Sequence, residues 1–546
     1  MLRVAGKPDD QLQATFGARV FHASGKVRRM PVSSRRTSVP STVDLLVVGG
    51  GINGAGIARD AAGRGLKVAL VEQDDLAAHT SSASTKLIHG GLRYLEQFRF
   101  AMVRKSLQER RVLLRAAPHI IQPMRFILPH DRHLHPAWFI RLGLFLYDHL
   151  ASRDSLPASR LVRLTQHPAG RPLDSKYRLA FEYADAWVDD ARLVVLNAVD
   201  AAERGAFVSG RTRCAAVRRD GTGWRAELVA PGGVASSIAA RALVNATGPW
   251  AEQFLREIVG QKNAPRMRLV RGSHIIVPRL FDHDYAYIFQ TTDRRIVFAI
   301  PYQREFTLIG TTEVDVGAEP VFAAISTDEI AYLCELANRY FTRPIKPTDV
   351  VSHYSGLRPL LANDTTDPSK VTRDYSLLLE TDTAPLLSVF SGKITTYRRL
   401  AEEAVSMLQQ ELQVGDRATD TTRPWTSSAP LPGGDMPRAD YESFLRSIEQ
   451  EKPWLPAALR QRYTRAYGTR VLRLLGAAQS LEELGAEVLP GLFEREIRYL
   501  VRVEFARSAD DILWRRSKLG LHLGPQASPL LEAWLAQQVD PTASGC

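Results

Sequence analysis

The stretch Asp44–Glu72 constrains the fold of this chain more than any other part of the sequence. It begins with a run of apolar β-forming residues, breaks at Gly49–Gly51, continues as a helical pattern after Gly54 and ends in a second short strand. A strand, a glycine-rich turn, a helix and a second strand in this spacing are typical of the βαβ unit that binds dinucleotides. The stretch therefore predicts a doubly wound α/β domain with a nucleotide site.

Four residues of this unit are predicted to serve the nucleotide. Gly49 permits the tight turn, Gly51 lets the backbone approach a pyrophosphate, and Gly54 lets the helix pack closely on the strand. The helix N-terminus then offers unpaired N–H groups to the phosphates. Glu72, which ends the second strand, is placed to accept hydrogen bonds from a ribose 2′-hydroxyl. Its negative charge would repel a 2′-phosphate, which argues against NADP.

The composition sets limits on the remaining chemistry. A chain of 546 residues is long enough for roughly two to four domains, and no run of about 18 apolar residues suggests a transmembrane helix. The three cysteines are far apart and form no C-x-x-C pair. This excludes disulfide-reductase chemistry and iron–sulfur ligation, and favours a reducing compartment. No cluster of metal ligands is visible in the sequence, so no metal is predicted.

The charge of the chain is strongly basic. A net charge of +12 favours an anionic partner such as a phosphorylated substrate, an acidic lipid or a nucleic acid. Half of this charge lies in residues 1–42, which hold eight basic and two acidic residues and show no apolar periodicity. We predict that this tail is disordered. Two other interpretations stay open: a mitochondrial transit peptide, which Asp9 and Asp10 disfavour, and a translation start at Met30.

The segment His135–Arg153 is apolar and basic, and it contains Trp138, Phe139, Phe145 and Tyr147. One interpretation is a buried helix. The other is a helix that lies on a membrane surface. The segment itself does not distinguish the two.

Further along the chain, residues 207–230 alternate like antiparallel strands, and Ala242–Trp250 reads as a strand that returns beside the first βαβ unit. From about residue 415 the pattern becomes helical, after prolines and glycines that indicate a linker. We therefore predict four parts: a disordered basic tail at 1–42, a nucleotide-binding domain with an interleaved substrate-binding domain at 43–412, a linker at 413–437 and a helical domain at 438–546.

Several longer motifs now identify a family. The first two are VGGGINGAGIARDAAGRG at Val48–Gly65 and SSASTKLIHGGLRYLE at Ser81–Glu96; the others are NATGPW, RGSHIIVP, YSGLRPL, TRDYSL, SGKITTYRRLA and ARSADDILWRR. With them, the chain resembles the FAD-dependent glycerol-3-phosphate dehydrogenases of the bacterial respiratory type over about residues 43–525. One position departs, because the usual Gly-Gly-Lys turn is Ser391-Gly392-Lys393 here. A serine can replace the first glycine of this turn if the residue there has a negative φ. No calcium-binding EF-hand loop, which the mitochondrial relatives carry, is found in the sequence.

The resemblance implies the architecture and the reaction. The fold would combine a doubly wound, Rossmann-like FAD-binding domain, an antiparallel-sheet substrate domain (mainly 120–185 and 263–350) and an all-helical C-terminal cap. The reaction would be oxidation of sn-glycerol 3-phosphate to dihydroxyacetone phosphate, with electrons passing from FAD to membrane quinone. The protein would bind peripherally to the anionic cytoplasmic face of the bacterial inner membrane. Whether it forms a homodimer is left open.

The same motifs supply candidate site residues. A dianionic phosphate needs cations, and the candidates are Arg93, Arg358, Arg373 and Lys393, with Tyr94 as a further hydrogen-bond donor. A base must take the hydroxyl proton; we favour His274, with His89 as the alternative. The catalytic candidates are thus His274, His89, Arg358 and Lys393. Beyond the four residues of the βαβ unit, the expected cofactor contacts are Asn53, Ser81, Ser82, Lys86, Gly248, Gly392 and Thr395.

Three other functions compete with this interpretation. A glycerol-phosphate oxidase would use the same pocket and pass electrons to O₂. An amine-oxidising flavoenzyme would bind a carboxylate and need fewer cations. A nucleic-acid-binding flavoprotein would use the basic charge, but no basic–aromatic interleaving supports it, and no nucleic-acid partner is predicted.

Overall fold

The computed structural model describes residues 38–131, 135–154, 156–290, 295–320, 324–362, 374–413 and 423–538. Most of the predicted tail and Arg373 lie outside these ranges. The strands within them are β1 Thr42–Val48, β2 Val68–Val71, β3 Leu87–Ile88, β4 Ile121–Pro129, β5 Arg160–Arg163, β6 Leu179–Val188, β7 Phe207–Ser209, β8 Arg213–Asp220, β9 Gly223–Val229, β10 Ala235–Asn245, β11 Met267–Pro278, β12 Ala286–Gln290, β13 Ile296–Tyr302, β14 Phe306–Gly310, β15 Val314–Gly317, β16 Ser352–Leu361, β17 Ser376–Glu380, β18 Leu386–Phe390, β19 Glu487–Leu489 and β20 Leu492–Phe493.

The α-helices are distributed over the whole described chain and become denser towards its end. They are α1 Ile52–Gly63, α2 Phe100–Ala116, α3 Ala137–His149, α4 Asp190–Glu203, α5 Ala251–Gln253, α6 Thr327–Asn338, α7 Tyr397–Leu412, α8 Tyr441–Glu451, α9 Ala457–Tyr467, α10 Val471–Leu475, α11 Glu494–Val503 and α12 Ala527–Gln538. Two short segments, Phe254–Val259 and Asp511–Arg516, are π-helical.

The first sheet is the predicted doubly wound sheet. Its strands run in the order β17, β18, β10, β1, β2 and β7, and the five from β18 to β7 are parallel. As predicted, β10 returns beside β1. The antiparallel interpretation of 207–230 is wrong for its first strand: β7 pairs in parallel with β2, because it follows helix α4, while β8 and β9 form the antiparallel hairpin.

Helix α1 is held between the sheet and two other helices. Ten of its twelve residues are buried, and its small side chains let α4 and α7 pack against it in one apolar core. At Gly56, a Cβ would lie 2.9 Å from the Tyr397 ring of α7. A larger residue there would push α7 away, so the glycine sets how closely the layers approach.

The second sheet is the predicted antiparallel substrate sheet. It runs in the order β15, β11, β14, β13, β12, β4, β6 and β3, with β16 on β11 and β5 on β6; β4 and β12 are its one parallel pair among the described strands. Side chains alternate along β11. Ile275 and Val277 pack towards α6, whereas Ile276 packs towards α2 and α3. The sheet is therefore covered on both faces.

The C-terminal part, from α8 to α12, has an apolar core of its own. It was predicted to be all helical. The short antiparallel pair β19–β20 is an exception, since it forms where Glu487–Phe493 turns back on itself before α11.

Helix α3 is exposed, so its interpretation as a buried helix is wrong. Only Leu144 and Tyr147 are buried among its thirteen residues, while Trp138 is 69% exposed and Phe145 50% exposed. Its other large apolar side chains, Phe139, Leu142 and Leu146, are also exposed. No helix among the described residues has the length and apolar character needed to cross a bilayer.

Candidate active site

Two adjoining cavities lie at the carboxyl edge of the parallel sheet. The first, of about 390 Å³, is here named the nucleotide cavity and opens beside the ends of β1, β2 and β10. The second, of about 310 Å³, is named the reaction cavity and lies between the two sheets. Residues that line both include Ile52, Ser81, Pro359 and Gly392. One extended ligand can therefore occupy both cavities, as the carboxyl edge of a doubly wound sheet favours.

The glycine turn after β1 has the geometry that its spacing predicts. Gly49 has a φ of +113°, and a Cβ on it would lie 2.4 Å from the Ala246 carbonyl oxygen. A Cβ on Gly54 would lie 1.9 Å from the Gly49 oxygen, so helix α1 approaches the strand too closely for any side chain there. Gly51 lines the nucleotide cavity. The turn thus brings bare backbone to the cavity wall.

The N-terminus of α1 faces this cavity beside two polar side chains. The Ile52 N–H donates to the Ser81 Oγ at 3.0 Å. Asn53 donates through Nδ2 to the Ser391 carbonyl, 3.3 Å away, but its buried Oδ1 has no hydrogen-bond partner within the described residues. Because buried acceptors are rarely left unpaired, this atom fits a donor on a bound ligand.

Glu72 is oriented by two backbone N–H groups. Gly50 donates to its Oε2 at 2.6 Å and Asp74 to its Oε1 at 2.9 Å. Burial raises the pKa of this carboxyl above its usual value, although both backbone donors oppose the shift. Each carboxylate oxygen can accept a further hydrogen bond. The predicted contact to a ribose hydroxyl therefore remains open on the cavity side.

The structure brings most, but not all, of the predicted cofactor residues to the nucleotide cavity. Gly54 supports the turn, and the other three predicted residues, Ser82, Lys86 and Thr395, line neither cavity. Lys86 is buried, and its Nζ lies 2.7 Å from Asp190 Oδ1. Lys86 is thus paired with Asp190 inside the protein and does not line the nucleotide cavity. The predicted residues that line the nucleotide cavity are Gly49, Gly51, Asn53, Glu72, Ser81, Gly248 and Gly392.

Sequence reasoning missed several lining residues. His79, Thr212, Trp250 and Phe254 all line the nucleotide cavity, and the rings of His79 and Trp250 are 4.6 Å apart. Trp250 ends the NATGPW motif, but the other three belong to none of the quoted motifs. Their position in the sequence could have identified them, because each lies shortly after a parallel strand or after the turn that follows it.

The predicted cations of the reaction cavity differ in their pairing. Arg358 donates to Glu313 Oε1 at 2.9 Å and forms an ion pair with it. Lys393 lies 4.0 Å from the centre of the Tyr94 ring and 3.6 Å from Met102 Sδ. In the part of the chain that the structure describes, neither Lys393 nor Arg93 forms an ion pair with a carboxylate. Cations without a fixed counterion are suited to an anionic ligand.

His274 and His89 both line the reaction cavity. His274 is buried, stacks on the Tyr354 ring at 4.9 Å, and has its Nε2 3.0 Å from the Thr85 hydroxyl. Its Nδ1 has no hydrogen-bond partner among the described residues. Burial, with the charges of Arg358 and Lys86, lowers the pKa of His274 well below its usual value. The ring is therefore neutral at physiological pH.

The backbone at Ser391 does not have the negative φ under which a serine can replace glycine. Its φ is +61°, in the left-handed region. The turn must direct the Ser391 carbonyl to Asn53 and reverse the chain before α7. The tertiary contacts therefore hold a serine in a conformation that favours glycine.

Comparisons with known proteins agree with this geometry. Residues 44–398 match the family described as FAD dependent oxidoreductase, and residues 424–536 match the C-terminal domain of alpha-glycerophosphate oxidase. The chain is 50% identical over 497 residues to a glycerol-3-phosphate dehydrogenase of Pseudomonas aeruginosa, covering 91% of this chain and 95% of that one. It is 49% identical over 487 residues to a D-erythritol 1-phosphate dehydrogenase of Brucella abortus, covering 89% and 96%. The crystal structure of the Bacillus halodurans glycerol-3-phosphate dehydrogenase complexed with FAD superposes with a TM-score of 0.74, at 26% identity and 91% of both chains.

Proposed function

The chain belongs to the FAD-dependent oxidoreductase family and, within it, to the glycerol-3-phosphate dehydrogenases, and we propose that it oxidises sn-glycerol 3-phosphate to dihydroxyacetone phosphate with membrane quinone as the final acceptor. Its cofactor is FAD. The observation that carries the substrate proposal is the pair of cations Arg93 and Lys393, which line a cavity beside the nucleotide site and have no carboxylate partner within the described ranges.

The residues of the nucleotide cavity fit this cofactor. The glycine turn exposes backbone to a pyrophosphate, Glu72 can accept from a ribose hydroxyl, and Asn53 Oδ1 still lacks a donor among the described residues. When bound, FAD accepts a hydride from the alcohol carbon. The protein's own contribution is to bind the substrate, orient it and remove its proton.

The phosphate is the first group to be recognised in this proposal. It carries about two negative charges, and Arg93 and Lys393 would meet it with hydrogen bonds and charge. Arg358 is held against Glu313 and Thr311, so it is oriented within the cavity wall. In this proposal Arg358 and Glu313 contact the hydroxyl groups of the substrate.

His274 is the proposed base. A neutral imidazole can accept the C2 hydroxyl proton as the hydride leaves, and the lowered pKa of His274 keeps the ring in this neutral form. Thr85 and the Tyr354 ring would hold the imidazole in position. His89 remains the alternative, since it lines the same cavity.

The proposed reaction is tested by following the flavin absorbance without oxygen. Glycerol 3-phosphate is expected to bleach the bound chromophore, whereas glycerol at the same concentration leaves it oxidised. Equal bleaching by both would reject a phosphate-binding role for the cations. Adding oxygen then separates the oxidase alternative, because an oxidase would produce peroxide in proportion to substrate.

A second candidate substrate is a longer polyol phosphate. The 49% identical relative is named for D-erythritol 1-phosphate, and Glu313 and Thr311 add acceptors to the wall of the reaction cavity that an extra hydroxyl group could use. Comparison of kcat/KM for the three-carbon and four-carbon substrates decides between them. We expect the three-carbon substrate to be preferred.

Peripheral attachment to the cytoplasmic face of the inner membrane is the third part of the proposal. It is supported by the exposed apolar side chains of α3 and by Phe98, which is 79% exposed. Apolar side chains at an exposed surface, with basic residues around them, suit an anionic lipid surface. A position on the membrane would give access to quinone.

A further inference from the structure

The C-terminal domain contacts helix α4 and the loops at the edge of the parallel sheet through buried and partly buried ion pairs. Among the described residues, five of these pairs come from one short segment, Glu504–Lys518, which contains the second π-helical segment. Such pairs fix relative position sharply, because each buried charge has its partner only in one arrangement. The pairs are Asp75 with Arg515 and Arg516, Arg211 with Asp511, Arg192 with Glu504, and Lys518 with Asp189.

Asp75 is buried and is bound by two arginines of the C-terminal domain. Arg516 binds both of its oxygens, with NH1 2.5 Å from Oδ2 and NH2 2.8 Å from Oδ1. Arg515 donates to the same Oδ2 at 2.5 Å. The Arg516 guanidinium also donates to the Glu504 carbonyl from Nε and NH2. Two guanidinium groups of the C-terminal domain therefore hold one carboxylate.

That carboxylate belongs to the loop that forms one wall of the nucleotide cavity. Gln73, Ala77 and His79 line the cavity on either side of Asp75. The Asp74 carbonyl accepts the Arg211 N–H at 2.7 Å, and Arg211 is in turn paired with Asp511. The C-terminal domain thus holds both chain segments that follow β2 and β7 at this wall.

We propose that Arg515 and Arg516 are positioning residues for FAD: by holding Asp75, they keep the loop 73–79 in the shape that receives the adenosine half of the cofactor. The proposal rests on the family's cofactor and not on the proposed substrate. It makes FAD binding and docking of the C-terminal domain mutually dependent. This dependence runs through the Asp75 contact: by linkage, FAD strengthens the contact of Arg515 and Arg516 with Asp75 by the same factor by which that contact strengthens FAD binding.

The test uses apoprotein prepared from the full chain and titrated with FAD, with flavin fluorescence as the signal. Asp75→Asn removes the charge but keeps the shape, and Arg515→Gln removes one of the two cations from a less buried position. Glu203→Gln is the matched control, since Glu203 pairs with Arg470 and Arg473 of the same domain but lines neither cavity. We expect the Kd for FAD to rise about tenfold in Asp75→Asn, less in Arg515→Gln, and not in Glu203→Gln.

A purely structural role predicts a different result. In that case Asp75→Asn would lower the Tm of the apo and holo forms equally, and the rise in Tm on adding FAD would match wild type. That outcome, or an unchanged Kd, overturns the proposal. If Asp75→Asn does not fold, the same comparison is made with Arg515→Gln. FAD should also slow hydrogen exchange in residues 504–518 of wild type, and unchanged exchange there counts equally against the proposal.

Discussion

At the scale of single residues, pairing separates side chains that look alike in the sequence. Lys86, Arg358 and Lys393 were all candidates for an anion or cofactor site. Lys86 is paired with Asp190 inside the protein, Arg358 is paired with Glu313 in the cavity wall, and Lys393 lies over the Tyr94 ring. The expected kinetic effects therefore differ in kind from one cation to the next.

Lys393→Met tests the phosphate contact. Removing a cation that binds the phosphate in both ground and transition states should raise KM by about tenfold or more and change kcat much less. Lys105→Met is a matched control, because Lys105 also lies over a tyrosine ring, at 3.9 Å from Tyr375, but does not line the reaction cavity. Steady-state kinetics with glycerol 3-phosphate provide the measurement, and equal KM values in both variants would remove Lys393 from the phosphate site.

His274→Ala tests the base. The expected loss is in kcat, by about 10²- to 10⁴-fold, with His89→Gln as the comparison. Because the pKa of His274 lies well below its usual value, wild-type kcat should hold constant as pH falls through 6.5 instead of dropping there. A normal kcat in His274→Ala across the pH range would assign the proton transfer to His89 or to water.

Ser391→Gly tests backbone strain at the turn. A left-handed serine costs about 1 kcal/mol relative to glycine, while glycine gives back part of this through the entropy of the unfolded chain. We expect Tm to rise by about 1–2 °C. Ser391→Ala keeps the Cβ and should not show the rise. If neither variant, or both, gained stability, the positive φ of Ser391 would not be the source.

At the scale of elements, α3 presents apolar side chains that no other described element covers. Its sequence was consistent with burial, but the helix has neighbours on one side only. Leu144 and Tyr147 are its only buried residues, and Ala137 and Ile140 are partly buried against the same core. The remaining apolar face is the proposed membrane contact.

Trp138→Ser combined with Phe139→Ser should release the protein from anionic vesicles while activity with a soluble dye acceptor stays normal. The physical reason is the loss of buried apolar area at the lipid interface. Leu472→Ser with Leu530→Ser removes exposed apolar groups from the C-terminal domain and serves as control. Co-sedimentation with vesicles measures the effect. Retention of the α3 variant on vesicles would place the attachment elsewhere.

At the scale of the whole molecule, an unusual buried histidine lies where the C-terminal domain packs on the rest of the protein. His119 is fully buried, and neither ring nitrogen has a hydrogen-bond partner in the ranges described. A Cβ added to Gly468 would lie 2.9 Å from its Cγ, so the C-terminal domain packs directly on the ring. Burial, with the charges of Arg192 and Arg465, lowers the pKa of His119 to about 3.

This pKa predicts a pH-dependent stability. Between pH 6.5 and 3 the unfolded chain binds a proton at His119 that the folded chain does not, so stability falls as pH falls, by about 1.4 kcal/mol per pH unit. His119→Leu should remove this contribution, about 2 kcal/mol between pH 6.5 and 5. Urea unfolding of wild type and variant at both pH values measures it. Identical pH dependence in the two proteins would show that His119 does not contribute.

The sequence by itself determined the features whose cause is local in the chain. The βαβ unit, the glycine turn and the position of Glu72 follow from neighbouring residues, because side-chain sterics and strand or helix periodicity act over a few positions. The resemblance to the family predicted the second sheet and the helical C-terminal part. His274, Arg93 and Lys393 were chosen from these motifs, and all three line the reaction cavity, while their roles stay predictions.

Only the tertiary structure decided the contacts between residues far apart in the chain. Lys86 meets Asp190, Arg358 meets Glu313, and Asp75 meets Arg516 across 441 positions. No local sequence pattern predicts which two charged residues will form an ion pair. The pairing depends on how the sheets and helices pack and on which side chains they bury. The same holds for Ser391 and α3, where packing and not propensity set the φ of one residue and the exposure of the other.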